Sequence, residues 1–171
     1  MDTYCEYIVK KKKSVRDYII SGLTVCLAII VIHFATNIIM FGISSLVFLL
    51  PVIWFGAVWG AYKIISGRNL EYEYLLTGGD LDVDKIINKS RRARVISVRR
   101  REIEVMATAE SGNLPSNWKE LPLVDVTSGY NPNAEYVIII NGTERKALLF
   151  EPTEKMKEQL RLKLPGKIFV D

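Results

Sequence analysis

The chain has 171 residues, with 23 Lys plus Arg against 19 Asp plus Glu, one histidine and two cysteines. Its formal charge of +4 is local: from Arg68 onward 17 basic and 16 acidic side chains nearly cancel, and the excess sits chiefly in Lys10, Lys11, Lys12, Lys13 and Arg16. Two cysteines, Cys5 ahead of the long apolar stretch and Cys26 inside it, exclude a disulfide framework, no metal-ligand spacing is present, and the lack of stacking aromatics and of a recognition motif in the basic stretch argues against nucleic acid as a partner.

Residues 1–17 read as a basic cytoplasmic segment. From Tyr18 to Tyr62 there is no Asp, Glu, Lys or Arg. A helix rises about 1.5 Å per residue and the hydrocarbon core is roughly 30 Å thick, so about 20 apolar residues make one crossing and this run supplies two. The expected hairpin fills residues 18–66, with helices near Tyr18 to Ile39 and Ile43 to Ile65 and with Asn37 and Gly42 close to the bend. A cleaved signal peptide fits poorly, because no small-x-small site ends the first segment and a second apolar segment follows at once. A lipid-attachment role for Cys26 fails as well, since Leu23, Thr24 and Val25 ahead of it lack the small residue that cleavage needs.

Basic side chains that flank a crossing are retained in the cytoplasm. Lys10 to Lys13 and Arg16 precede the first helix, Lys63 and Arg68 follow the second, and the connection has none. Both termini are therefore expected in the cytoplasm, in a multi-pass membrane protein. Tyr18, Trp59 and Tyr62 suit the inner interface, where amphipathic rings are favoured. Gly56 and Gly60 form a small-x-x-x-small spacing for helix packing, against the first helix through Gly22 and Cys26 in preference to a second copy. His33 and Asn37 share a helix face near the outer end, where hydrogen bonding is expected and no carboxylate completes a proton relay.

Residues 67–171 form a second, β-rich region. Glu71 to Leu76 and Leu81 to Ile87 alternate around a turn at Gly78 and Gly79. After a turn at Asn88 to Arg92, Arg94 to Val98 and Glu102 to Ala107 read as further strands, and Thr108 to Glu120 as a loop whose Trp118 caps the core. Leu123 to Thr127 adds a strand. Glu135 to Ile140 and Glu144 to Phe150 flank Asn141 and Gly142, expected to form a turn with positive backbone angles. Pro152 is expected in the first turn of a closing helix, with Met156, Leu160 and Leu164 at four-residue spacing, stopped by Pro165 and Gly166. The expectation is an α+β membrane protein: a two-helix transmembrane hairpin, then a mainly antiparallel domain of about seven strands with a C-terminal helix.

Three features carry a comparison: the Tyr72-Glu73-Tyr74-Leu75-Leu76 opening, the basic third-strand region, and the Leu148-Leu149-Phe150-Glu151-Pro152 passage into the helix. Over roughly Glu71 to Leu164 the sequence resembles bacterial membrane proteins in which a transmembrane hairpin carries a pleckstrin-homology-like domain, and it is similar to small membrane proteins of Firmicutes. The resemblance implies no catalytic residues. It does not imply specific inositol-lipid binding either, because the first hairpin turns through Gly78, Gly79 and Asp80 without basic residues, and no tryptophan lies between Thr153 and Leu164.

Asp80, Asp82 and Asp84 begin like a calcium loop, but Lys85 and Arg91 stand where a glycine and a bidentate glutamate are needed, so solvated strand carboxylates are expected. Lys89, Arg91, Arg92, Arg94, Arg99, Arg100 and Arg101 form a basic stretch. Near an anionic leaflet each such charge is worth about 1 kcal/mol. Lys10, Lys11, Lys12, Lys13, Arg16, Arg99, Arg100 and Arg101 are the residues assigned to anionic-lipid contact, and Gly56 and Gly60 those assigned to helix packing. No catalytic constellation, metal site or cofactor motif is present. The function expected is a non-enzymatic interaction module tethered to the lipid bilayer, binding a protein partner or anionic lipid. The alternative is an accessory subunit of a transporter or other membrane complex.

Overall fold

A computed structural model of the chain describes residues 4–169. They divide into two compact units, Met1–Lys12 together with Leu70–Asp171, and Lys13–Asn69. The boundary corrects the division of the sequence. Residues 1–17 are not a separate basic segment: Tyr4–Lys10 is a strand, β1, of the β-rich unit.

Two helices follow β1. Helix α1 (Val15–Phe41) starts earlier than its apolar run because Ser14 caps it, its side chain accepting from Arg16 N while Asp17 Oδ2 accepts from Ser14 N at 2.9 Å. Such reciprocal caps satisfy donors that a helix start leaves unpaired. A 3₁₀ turn over Ser44–Leu49 leads into α2 (Leu50–Ser66), with Pro51 in its first turn, where a missing N–H costs nothing. Val15–Phe41 and Ser44–Ser66 are long and apolar enough to cross a membrane. Across the pair, Trp54 Nε1 donates to Thr36 Oγ1 at 3.1 Å. Asn37 turns back on its own helix, donating to His33 O at 2.8 Å.

The β-rich unit has eight strands in two sheets, seven after the helices and β1 before them. The first sheet runs β1, β2 (Leu70–Thr77), β3 (Asp80–Ile87), β4 (Arg91–Val98), all antiparallel. The second runs in the order β5 (Ile103–Thr108), β7 (Tyr136–Asn141), β8 (Arg145–Phe150), β6 (Leu123–Asp125), with β6 parallel to β8. Helix α3 (Glu154–Lys163) is capped by Thr153, whose side chain accepts from Met156 N; Pro152 therefore lies ahead of the helix and not in its first turn.

One turn differs from expectation. Asn141 pairs with Arg145, so the β7–β8 turn is made by Gly142, Thr143 and Glu144, and neither Asn141 nor Gly142 has a positive φ. Among the strand turns the positive angles occur at Gly78 (62°) and Gly79 (102°), in a two-residue turn that matches strand twist, and at Asn88 and Lys89. One side of each sheet meets in a common core. Tyr74, Leu81, Val83, Ile138, Leu148 and Phe150 are fully buried there with Met156 and Leu160 of α3. A smaller cluster on the other side of the second sheet includes Val137 and Ile139, with Trp118 packed against it as the expected cap.

Candidate functional site

The site begins with how β1 meets β2. The two strands pair from Tyr4↔Thr77 to Lys10↔Glu71, and one step further Lys11 N donates to Leu70 O at 2.9 Å. Residues 13–69 thus leave and rejoin the domain at neighbouring backbone positions. Sheet pairing needs this segment of about seven residues to alternate, and it does: Cys5 and Val9 are buried while Glu6, Ile8 and Lys10 are exposed. The alternation was the available signal, but the adjoining lysine run drew the segment toward a purely topogenic reading.

The exit is basic. Lys11 Nζ lies 5.4 Å from the Tyr72 ring centroid, and Lys12 Nζ 5.6 Å from that of Tyr130. Lys12 N also donates to Ser128 O at 2.8 Å, fixing the chain against the β6–β7 connection. Lys10, Lys11 and Lys12 make no ion pair among the described residues. Lys13 and Arg16 belong to the helical unit, where Arg68 pairs with Asp17 at 3.7 Å and so joins the start of α1 to the residues that follow α2.

Arg99, Arg100 and Arg101 are not brought to this place. They follow β4, whose Val98 pairs with Leu81, at the end of the sheet opposite Leu70. Arg100 N donates to Asp80 Oδ1 at 2.7 Å, and the Arg100 side chain packs over Gly79. The residues of the basic stretch that do lie at the exit end are Lys89, in the β3–β4 turn, and Arg91, whose partner Ile87 pairs in turn with Leu70. Arg92 and Arg94 are neutralised on the sheet: Arg92 pairs with Glu73 at 3.0 Å, and Arg94 with Asp82 and Asp84. The Asp82 and Asp84 carboxylates serve a strand face, and among the described residues no cluster of His, Cys, Asp or Glu could hold a metal ion.

Two buried polar groups frame the domain. Glu73 is only 1% exposed, on the outer face of β2. Burial raises its carboxyl above the usual carboxylate range, against the pull of Arg92 and with further push from Glu6 and Asp84. Tyr74, fully buried, donates to Val126 O at 2.7 Å and accepts from Glu151 N at 3.4 Å; burial raises its phenol. Glu151 Oε1 in turn accepts from Ser128 N at 2.9 Å and Ser128 Oγ at 2.7 Å. These bonds hold the floor of a groove of about 380 Å³ beside β1.

Within the helical pair, Gly56 and Gly60 line a second, apolar groove of about 190 Å³ with Thr24, Leu27, Ala28 and Val31. A Cβ at Gly22, Gly56 or Gly60 would meet nothing within 4 Å. The two glycines thus border the cleft beside α1, with room at each for a Cβ.

Set against known proteins, the chain matches the family model described as bacterial PH-like domain (DUF6106) over residues 1–170. No curated protein and no solved structure matches it.

Proposed function

The chain belongs to the bacterial PH-like domain family, and from that premise we propose that it is a non-enzymatic interaction module held at the inner face of the cell membrane. Domains of this kind are generally non-catalytic, and two helices able to span a bilayer supply the tether. The observation that carries the reading is the Lys11 N to Leu70 O hydrogen bond of 2.9 Å. A chain that departs and returns at one point of a folded domain must cross an even number of times. With Lys10, Lys11, Lys12, Lys13 and Arg16 before the crossings and Lys63 and Arg68 after them, that side is the cytoplasm.

Anionic lipid is the first surface such a domain meets. We assign the contact to Lys10, Lys11, Lys12, Lys13 and Arg16, joined by Lys89 and Arg91. Arg99, Arg100 and Arg101 stand a strand length away, about 25 Å at roughly 3.3 Å per residue, beyond the screening distance of about 8–10 Å. Flotation of the full chain's β-rich unit cannot be read apart from the helices, so the test is topological and electrostatic together. In oriented membrane vesicles, an impermeant thiol reagent should reach Lys89→Cys from one side and Ser44→Cys only from the other; labelling of both from one side overturns the reading. In anionic nanodiscs, Lys10→Glu with Lys12→Glu should abolish lipid protection of β1 from proteolysis, while Arg99→Ala, Arg100→Ala and Arg101→Ala together should leave it.

The open cleft at Gly56 and Gly60 favours a second reading, an accessory subunit whose helices seat against a larger membrane protein. A Cβ at either position meets nothing within 4 Å, so leucine at both would begin in open space and occupy the cleft. It should leave the helices inserted and remove any co-purifying membrane protein; an unchanged set of such proteins would end this reading.

A further inference from the structure

The two sheets present four outer edges, and three are closed to another strand. β4 carries Arg91, Arg92 and Arg94 and has a register shift against β3 at Val83/Asp84; charges and bulges of this kind discourage pairing. β5 is covered by the chain's own end, Met106 N donating to Lys167 O and Phe169 N to Met106 O, both at 2.8 Å. β6 is three residues long. β1 is the most open of the four: seven residues, an unbroken register, and an apolar middle of Tyr7, Ile8 and Val9 between the single charges of Glu6 and Lys10.

Its hydrogen-bonding direction follows from the ladder. Lys11 bonds Leu70, so the odd-numbered residues of β1 face β2 and the even-numbered ones face outward. Lys12 confirms the alternation by donating outward to Ser128 O. The N–H and C=O groups of Glu6, Ile8 and Lys10 point the same way, and among the described residues no backbone partner meets them. Alongside lies the groove of about 380 Å³, lined by Tyr7, Val9, Lys10, Tyr130, Ala134 and Pro152. Tyr7 and Ile8 are 39% and 45% exposed.

We propose that β1 receives, as a fifth strand of its sheet, an extended acidic segment of another protein, laid in this groove. The proposal rests on the reading of the domain as an interaction module and names its partner. Strand addition supplies main-chain hydrogen bonds, and flanking side chains select the sequence. Lysines supply the selecting charge: Lys10 lines the groove and Lys12 lies against its Tyr130 ring, neither paired with a carboxylate among the described residues, and the one acid in the lining, Glu151, is already held by Ser128. A second copy of β1 suits the edge less well. Antiparallel pairing about Tyr7 would set Lys10 opposite Tyr4 and Glu6 opposite Ile8, so neither charge within the strand would meet its opposite.

The test uses the full chain in nanodiscs of phosphatidylcholine alone, with an acetylated, fluorescein-labelled octapeptide alternating aspartate and valine as probe. Saturable binding is expected, with new hydrogen-exchange protection at the Glu6, Ile8 and Lys10 amides. N-methylating alternate peptide amides, or Ile8→Pro, which removes only an outward donor, should weaken binding about tenfold. Lys10→Glu with Lys12→Glu, which leaves the ladder untouched, should weaken it similarly. Absence of binding, protection along Arg91–Val98 instead, or protection of β1 that needs no peptide and rises with protein density would each overturn the proposal. Entry into the nanodisc reports the hairpin separately, so an inserted chain that ignores the peptide refutes this edge and not the tether.

Discussion

Tyr74→Phe removes one oxygen from the centre of the domain and tests whether its hydroxyl fixes the groove floor. The ring would stay, still packed edge-on against Phe150 with centroids 5.7 Å apart. The lost donor would leave the Val126 carbonyl, in a fully buried residue, without its 2.7 Å bond, and the Glu151 N–H without its acceptor. An orphaned buried polar group costs about 1–3 kcal/mol. With a urea slope of about 1–3 kcal/mol per molar, the unfolding midpoint should fall by roughly 1 M at unchanged slope. The measurement suits a shortened chain in which a turn replaces residues 13–69, because Trp118 is then the one tryptophan left. A pH series adds a second reading. The phenol is raised in the folded state, so its contribution is fully present below about pH 10, the unfolded value, and fades as pH rises above it. The two proteins should therefore converge in alkali. A midpoint that does not move, or a gap that persists in alkali, would refute the role given to the hydroxyl.

The shortened chain is itself a prediction: joining Lys12 to Leu70 through about four residues containing Asn-Gly should give a water-soluble, cooperatively folded domain, since the ends already share a hydrogen bond. The fragment from Arg68 onward, which lacks β1, should aggregate or unfold at lower urea because the β2 edge and its Tyr72, Tyr74 and Leu76 side chains lose their cover; equal stability would show that β1 is dispensable. Glu73→Gln imitates the protonated acid that burial favours. The wild type should lose stability as pH rises from about 4.5 through the raised folded value, and the variant should lose less, as thermal melts across that range would report. Ile168→Asp puts a charge into a position only 7% exposed, so the pairing of Lys167–Phe169 with β5 should open and proteolysis should trim the chain there.

The helical pair was legible because one property, the absence of charge from Tyr18 to Tyr62, marks two helices long and apolar enough to cross a membrane. Strands β2, β3, β5 and β7 were legible from alternation or apolar runs, and α3 from Met156, Leu160 and Leu164. What local pattern could not supply was pairing at a distance. The strand Tyr4–Lys10 has its partner more than sixty residues later, and its alternation does not say where that partner lies. For the same reason the lysines were grouped with Arg99, Arg100 and Arg101 by sign alone, although register sends the two sets to opposite ends of one sheet. The Asn141–Gly142 pair marked the right hairpin with the wrong geometry. The strands continue to Asn141 and resume at Arg145, so cross-strand register set the length of the turn and the dipeptide did not.

The split of the first sheet has a consequence for biosynthesis. β1 leaves the ribosome early, yet its hydrogen-bonding partner is made only after both apolar helices. The sheet can then close only on a chain whose helices have been dealt with, and long-range closure of this kind is slow. The strand made first therefore stays without a sheet until the rest of its unit has been made, and the order of synthesis and the order of assembly run apart.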